Sequence, residues 1–141
     1  MLRNTKSDDV LSNIPLFAAC TVKERKAINQ LITPATLTAG TVVARQGRVG
    51  HELAIITKGT ATVDIDGVTV ATLGAGDFFG EVSLLDGGPQ TATITADTEL
   101  GLEVIEHSDF TKLLIENPAV TVNILKGVAT RLRDADRRLA H

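Results

Sequence analysis

The sequence predicts a mainly β domain with helices at both ends, its strands closing into a sandwich or barrel. Three observations carry this. Between residues 35 and 106, Thr, Val and Ile recur in short runs cut by glycine, the texture of short strands joined by tight turns. Helical periodicity precedes that block and returns after it. The chain has 141 residues, 43% hydrophobic and 22% charged, enough for one domain with a buried core.

Residues 10–32 read as helical. Leu11, Ile14, Leu16 and Phe17 are an apolar opening. Thr21-Val22-Lys23-Glu24 fits a capping box, with Thr21 as N-cap and Glu24 reaching back to it. Ala27, Ile28, Leu31 and Ile32 follow at helical spacing, and Pro34 is expected to end the element. The expected strands are Thr41–Ala44, Leu53–Thr57, Thr60–Ile65, Val68–Leu73, Thr91–Ala96 and Leu100–Ile105. Asp66-Gly67 between two alternating runs is the sharpest hairpin signal. Ser108 is placed as the cap of a helix over Asp109–Glu116, and Asn117-Pro118 as cap and first residue of the next. Thr121, Leu125, Val128, Leu132, Ala135 and Leu139 then form an apolar seam at spacings of four and three. The reading is a single domain, 1–141, with an N-terminal helical part (1–34), a β part (35–106) and C-terminal helices (107–141).

Composition narrows the function. The formal net charge of -3 argues against a general nucleic-acid-coating protein. Four Phe, no Trp and no Tyr leave little for base stacking. One cysteine, Cys20, excludes an internal disulfide framework. The polar start Met1–Asp9 lacks the apolar core of a signal peptide, and no run is long enough to span a membrane, so a cytoplasmic location is expected. Charge is uneven. Residues 52–106 hold one basic residue, Lys58, against ten acidic ones, -9 in that block. An anionic ligand there meets adverse charge unless backbone N–H groups or flanking cations help it.

Enzyme readings find no footing. His51, His107 and His141 have no metal-ligand spacing, there is no G-x-S-x-G elbow, and no histidine lies near Cys20 in the sequence. Gly74-x-Gly76-x-x-x-Gly80 is one residue too long for a dinucleotide fingerprint and has no long helix after it. The domain is read as non-enzymatic, with no cofactor and no metal.

The informative stretch runs from Gly76 to Thr93: a glycine-framed turn, a few apolar residues, a second glycine turn and a strand. Such turns can aim successive N–H groups at an anion. Glu81 sits among apolar neighbours, where a carboxylate is costly without donors. A pair of sugar hydroxyls would supply them, and so would a local turn or a base.

At this stretch the sequence resembles the cyclic nucleotide-binding domain family, which includes catabolite activator proteins, protein kinase A regulatory subunits and cyclic-nucleotide-gated channels. The family's phosphate-binding cassette, F-G-E-[L/V]-[A/S]-L-L-x-x-x-P-R-[A/S/T]-A-T, is met without a gap by FGEVSLLDGGPQTAT from Phe79 to Thr93. Ile14-Pro15-Leu16-Phe17 resembles the family's first helix, and Gly47, Gly59 and Gly76 fall where its turns are expected. The resemblance implies a β-jelly-roll-like barrel with short N-terminal helices, the cassette and a long C-terminal helix. It also implies a ligand, cAMP or cGMP, held by Phe79, Gly80, Glu81, Val82, Ser83, Gln90, Thr91 and Ala92. Glu81 matches the acid that binds the ribose 2′-hydroxyl. Gly80 and Ser83 match positions whose N–H groups face ribose and phosphate, and Thr91 a position that contacts phosphate and can favour guanine.

One residue departs from the pattern: the family's phosphate-binding arginine is Gln90 here. Arg brings a charge and a two-pronged fork, Gln a neutral amide. A hydrogen bond to a charged group contributes about 1.5–3 kcal/mol, a neutral one about 1. The difference of about 0.5–2 kcal/mol is expected to lower affinity by about a decade, at about 1.4 kcal/mol per decade. Arg45, Arg48 and the C-terminal arginines are candidate replacements.

Three readings stand: a sensor domain of modest affinity, a relict domain kept for dimerisation or partner docking, and a domain with a changed ligand. The chain stops at His141 with no helix-turn-helix after the long helix, so no DNA binding by this chain is expected and action runs through an unknown effector protein. The C-terminal seam is a candidate homodimer contact, or packs on its own domain. Signalling is expected as a population shift, the cassette acting on the hinge around Phe110–Pro118 and on the C-terminal helix.

Overall fold

The computed structural model describes residues 11–14 and 16–140. The polar start, Pro15 and His141 fall outside the described residues, as do the side chains of Leu85, Arg131, Asp134, Ala135 and residues 138–140. The elements are α1 (Val22–Asn29), β1 (Thr33–Leu37), β2 (Val42–Ala44), β3 (Glu52–Lys58), β4 (Ala61–Ile65), β5 (Val68–Leu73), β6 (Phe78–Phe79), α2 (Glu81–Asp86), β7 (Thr93–Ala96), β8 (Leu100–Glu106), α3 (His107–Glu116) and α4 (Pro118–Ala140). They divide into a β unit, Ile32–Phe110, and a helical unit made by the described residues before and after it.

In the β unit two four-stranded antiparallel sheets, ordered β1-β8-β3-β6 and β2-β7-β4-β5, form a jelly-roll-like sandwich. The expected barrel is not closed; each sheet keeps its own two edges. The core is built of Ala44, Ala54, Ile56, Ala61, Ile94, Ala96, Leu100 and Leu102, all buried. The β4–β5 hairpin turns at Asp66-Gly67, both left-handed at φ 53° and 80°, as a two-residue hairpin with the strands' own twist requires. Gln46 clamps that turn, its Nε2 donating to Asp66 Oδ1 and its Oε1 accepting from Asp66 N, both at 2.9 Å. Gly47, Gly59 and Gly76 all take positive φ, as turn positions there require.

Pro34 does not end a helix. It lies inside β1, an edge strand, where a residue without N–H is tolerated because one side of the strand has no neighbour. The helix ends earlier, at Asn29 with Gln30 as C-cap. Residues 11–20 are not a continuous helix either. Ile14 N, Phe17 N and Cys20 N donate to Leu11 O, Ile14 O and Phe17 O, so the segment is a run of turns, each closed by a hydrogen bond to the residue three before. That period of three buries Leu11, Ile14, Phe17 and Cys20.

In the helical unit the capping box forms as read: Thr21 N donates to Glu24 Oε1 at 2.7 Å and Glu24 N to Thr21 Oγ1 at 3.1 Å. Asn123 Nδ2 donates to the same Glu24 oxygen at 2.8 Å, which ties α4 to α1. α3 starts at His107, so Ser108 lies within its first turn and is not its cap. α4 starts at Pro118 as expected, but the Asn117 side chain donates back to Leu113 O while its carbonyl accepts from Val120 N and Thr121 N. Of the seam, Leu125 and Leu132 are exposed and Thr121 and Val128 half-buried. Among the described residues of α4 the buried ones are Val120, Ile124 and Gly127.

Candidate functional site

The cassette begins where β6 ends. Phe78 and Phe79 pair with Ile55 and Ala54 of β3, which brings the chain against the end of that strand. Gly80 then turns at φ 94°. A Cβ there would collide with the Glu52 carbonyl oxygen, so the close approach and the left-handed turn both demand glycine. Gly80 is the N-cap of α2 and offers no side chain to its first turn. Leu84 N donates to Gly80 O at 3.2 Å, and the N–H groups of Glu81, Val82 and Ser83 precede the first possible intrahelical donor. Ser83 is buried. At the far end Gly87, also left-handed, donates its N–H to Ser83 O at 2.9 Å and closes the helix.

The return limb is pinned by main chain. Gln90 N donates to Arg48 O and Gly47 N to Gln90 O, both at 2.8 Å, and Val49 bridges Pro89. The Gln90 side chain lies against Gly50: a Cβ on Gly50 would come within 2.6 Å of Gln90 Nε2.

Between the two limbs is a cavity of about 230 Å³. The structure brings all eight sequence-predicted residues, Phe79, Gly80, Glu81, Val82, Ser83, Gln90, Thr91 and Ala92, to its wall. The residues that sequence reasoning missed form the opposite, apolar side: Ala44, Val63, Ala71, Leu73, Phe78 and Ile94. A signal for part of them was present. Val63 and Ala71 stand opposite one another in the β4–β5 hairpin, and counting back from Asp66-Gly67 places them near one rung.

Charge at the site is sparse. Glu81 is the only charged residue among those described as lining the cavity. Lys58, the one cation of the acidic block, is engaged elsewhere, 3.1 Å from Glu99. Arg45 and Arg48 are exposed and do not line the cavity, although the Arg48 carbonyl holds Gln90. The arrangement offers an anion backbone N–H groups at the start of α2, the hydroxyls of Ser83 and Thr91 and the Gln90 amide, and offers a pair of hydroxyls the Glu81 carboxylate. His107 opens α3 beside the cassette, with Nε2 donating to Gly80 O at 3.2 Å.

Comparison with known proteins gives a concordant result. The family model described as cyclic nucleotide-binding domain matches residues 34–117. A cyclic nucleotide-gated potassium channel from Rhizobium etli is 34% identical over 86% of this chain and 34% of its own length. A cAMP-dependent protein kinase regulatory subunit from Yarrowia lipolytica is 33% identical over 79% of this chain and 30% of its own. The chain thus spans about a third of these curated relatives. Among solved structures, the N-terminal domain of a transcriptional regulator from Streptomyces coelicolor A3(2) superposes with a TM-score of 0.79 at 34% identity, covering 93% of this chain and 94% of the other. The catabolite activator protein of Thermus thermophilus gives 0.73 at 30% identity, over 89% of this chain and 62% of the other. Among the described residues no helix is long and apolar enough to cross a membrane.

Proposed function

The chain belongs to the cyclic nucleotide-binding domain family, and on that premise we propose that its cassette cavity takes cAMP or cGMP as a regulatory ligand. The observation that supports this is the convergence of all eight cassette positions on one cavity, with α2 beginning at its wall. Glu81 accepts from the ribose 2′-hydroxyl. The N–H groups at the start of α2 and the Thr91 hydroxyl serve the cyclic phosphate. Gln90 replaces a charged fork with a neutral amide, so affinity is lower than a cassette arginine would give, by about a decade. The domain is non-enzymatic and cytoplasmic and acts through an effector protein, the change passing along α3, in which the β unit gives way to the helical unit.

A second reading is favoured by a separate observation. Val122, Leu125 and Leu132 form an exposed apolar stripe on α4. A domain that had lost its ligand but kept this face would serve as a dimerisation or protein-interaction module.

Calorimetric titration with cAMP and cGMP, run beside a Gln90→Arg variant, separates the two. Binding by the unchanged protein, tightened about tenfold in the variant, is the expected result. Binding by the variant alone supports the module reading. If neither binds, the roles given to Glu81, Ser83 and Thr91 are wrong.

A further inference from the structure

A second cavity, of about 270 Å³, opens inside the β unit and shares Ala44, Phe79, Gly80 and Gln90 with the first. Its wall follows from the register of one sheet. Residues directly opposite one another on neighbouring strands point to the same face. Ala35, Leu102 and Ile56 make one rung across β1, β8 and β3, and Thr33, Val104, Ala54 and Phe79 make the next. The following rung is Glu106 opposite Glu52. Along this face the lining passes from apolar to doubly acidic within two rungs. Small side chains at Ala35, Ala44 and Ala54 leave the space unfilled.

Two carboxylates directly across a strand pair repel one another. Among the described residues neither Glu52 nor Glu106 has a salt-bridge partner, and both line a neighbouring pocket with His51 and His107. An apolar cavity of about 150 Å³ accepts benzene, so this one has room for a larger body. We propose that it binds a small amphipathic cation, an aryl- or alkylammonium. The hydrocarbon lies along Ala35, Ala54, Leu102 and Val104, and the ammonium bridges Glu52 and Glu106. Three N–H donors on one nitrogen match two facing carboxylates and relieve their repulsion. This site stands whether or not the cassette takes a nucleotide.

The test is NMR titration of the protein with phenethylammonium and with its neutral isostere, phenethyl alcohol. The expected result is shifts at Ala35, Ala54, Leu102 and Val104, with the ammonium bound at least tenfold more tightly than the alcohol. The Glu52→Gln/Glu106→Gln double variant, which removes like charge and should stay folded, is expected to bring the two ligands level. Ala54→Leu, which fills the cavity, is expected to abolish both, with a dispersed spectrum showing that the variant is folded. Equal binding of the two ligands by the unchanged protein, shifts confined to residues 81–92, or no binding at millimolar ligand would each overturn the proposal.

Discussion

The two cavities of the β unit are similar in volume, about 230 and 270 Å³, and share the wall made by Phe79, Gly80 and Gln90. Charge separates them. The cassette cavity is proposed to take an anion, yet the one charged residue among its described lining is Glu81 and the donors it offers are neutral. The second cavity ends on a facing acid pair. On the proposed readings, the same surplus of carboxylates, ten against a single Lys58 in residues 52–106, disfavours the ligand of one site and draws that of the other. Fold positions a cavity; the sign of the few charges around it selects the ligand.

The largest expected effect breaks both sides at once. Gly80 lines both cavities, turns at φ 94° and has no room for a Cβ beside the Glu52 carbonyl. Gly80→Val adds about 1–2 kcal/mol of left-handed strain and about 1–3 of overpacking. Denaturant unfolding should show a loss of about 3 kcal/mol, and titrations the loss of nucleotide and ammonium alike. A variant of unchanged stability would show that the cassette turn has another conformation open to it.

Gln90→Arg sharpens the contrast because its side chain borders both spaces. One added positive charge should move the two affinities in opposite directions. Cyclic nucleotide should tighten about tenfold, and phenethylammonium should weaken by a smaller factor through its distance from Glu52 and Glu106. If both affinities moved the same way, electrostatics would not be what distinguishes the cavities. Glu81→Gln tests the remaining charge of the cassette. It keeps the shape and removes the charge-assisted acceptor, so nucleotide affinity measured by calorimetry should fall about tenfold.

How much of this was legible depended on how local each signal is. The β4–β5 hairpin was, because Asp66-Gly67 specifies its turn from two residues and the flanking alternation fixes its face. The cassette wall from Phe79 to Ala92 was, because it is contiguous in sequence. β1 was not: Thr33-Pro34-Ala35-Thr36-Leu37 carries a proline, and nothing local says that this strand lies at a sheet edge. β6 is two residues long, too short for any period to show. The second cavity was invisible for a deeper reason. Glu52 and Glu106 are adjacent only through the β3–β8 register, which is a property of the assembled sheet.

A third carboxylate, in the helical unit, shows what a satisfied acid looks like beside that facing pair. Glu24 accepts from Thr21 N and from Asn123 Nδ2, at 2.7 and 2.8 Å. Its pKa is lowered, chiefly by the Thr21 backbone hydrogen bond, with the Asn123 and Thr21 side chains adding to the shift and burial opposing it. A carboxylate whose folded pKa lies below its unfolded one contributes stability above the ordinary carboxylate range, and that contribution is lost as pH falls through the lowered folded value. Denaturation midpoints followed from neutral pH into acid should therefore decline, and Glu24→Gln should flatten part of that decline. Thr21→Ala acts differently: it removes the acceptor for Glu24 N and costs about 1 kcal/mol. The donor from its own backbone remains, so its acid limb should run roughly parallel to that of the unchanged protein. Parallel limbs for Glu24→Gln instead would mean that these two donors do not distinguish the charged carboxylate from a neutral amide, and the contrast with the facing Glu52 and Glu106 would lose its footing.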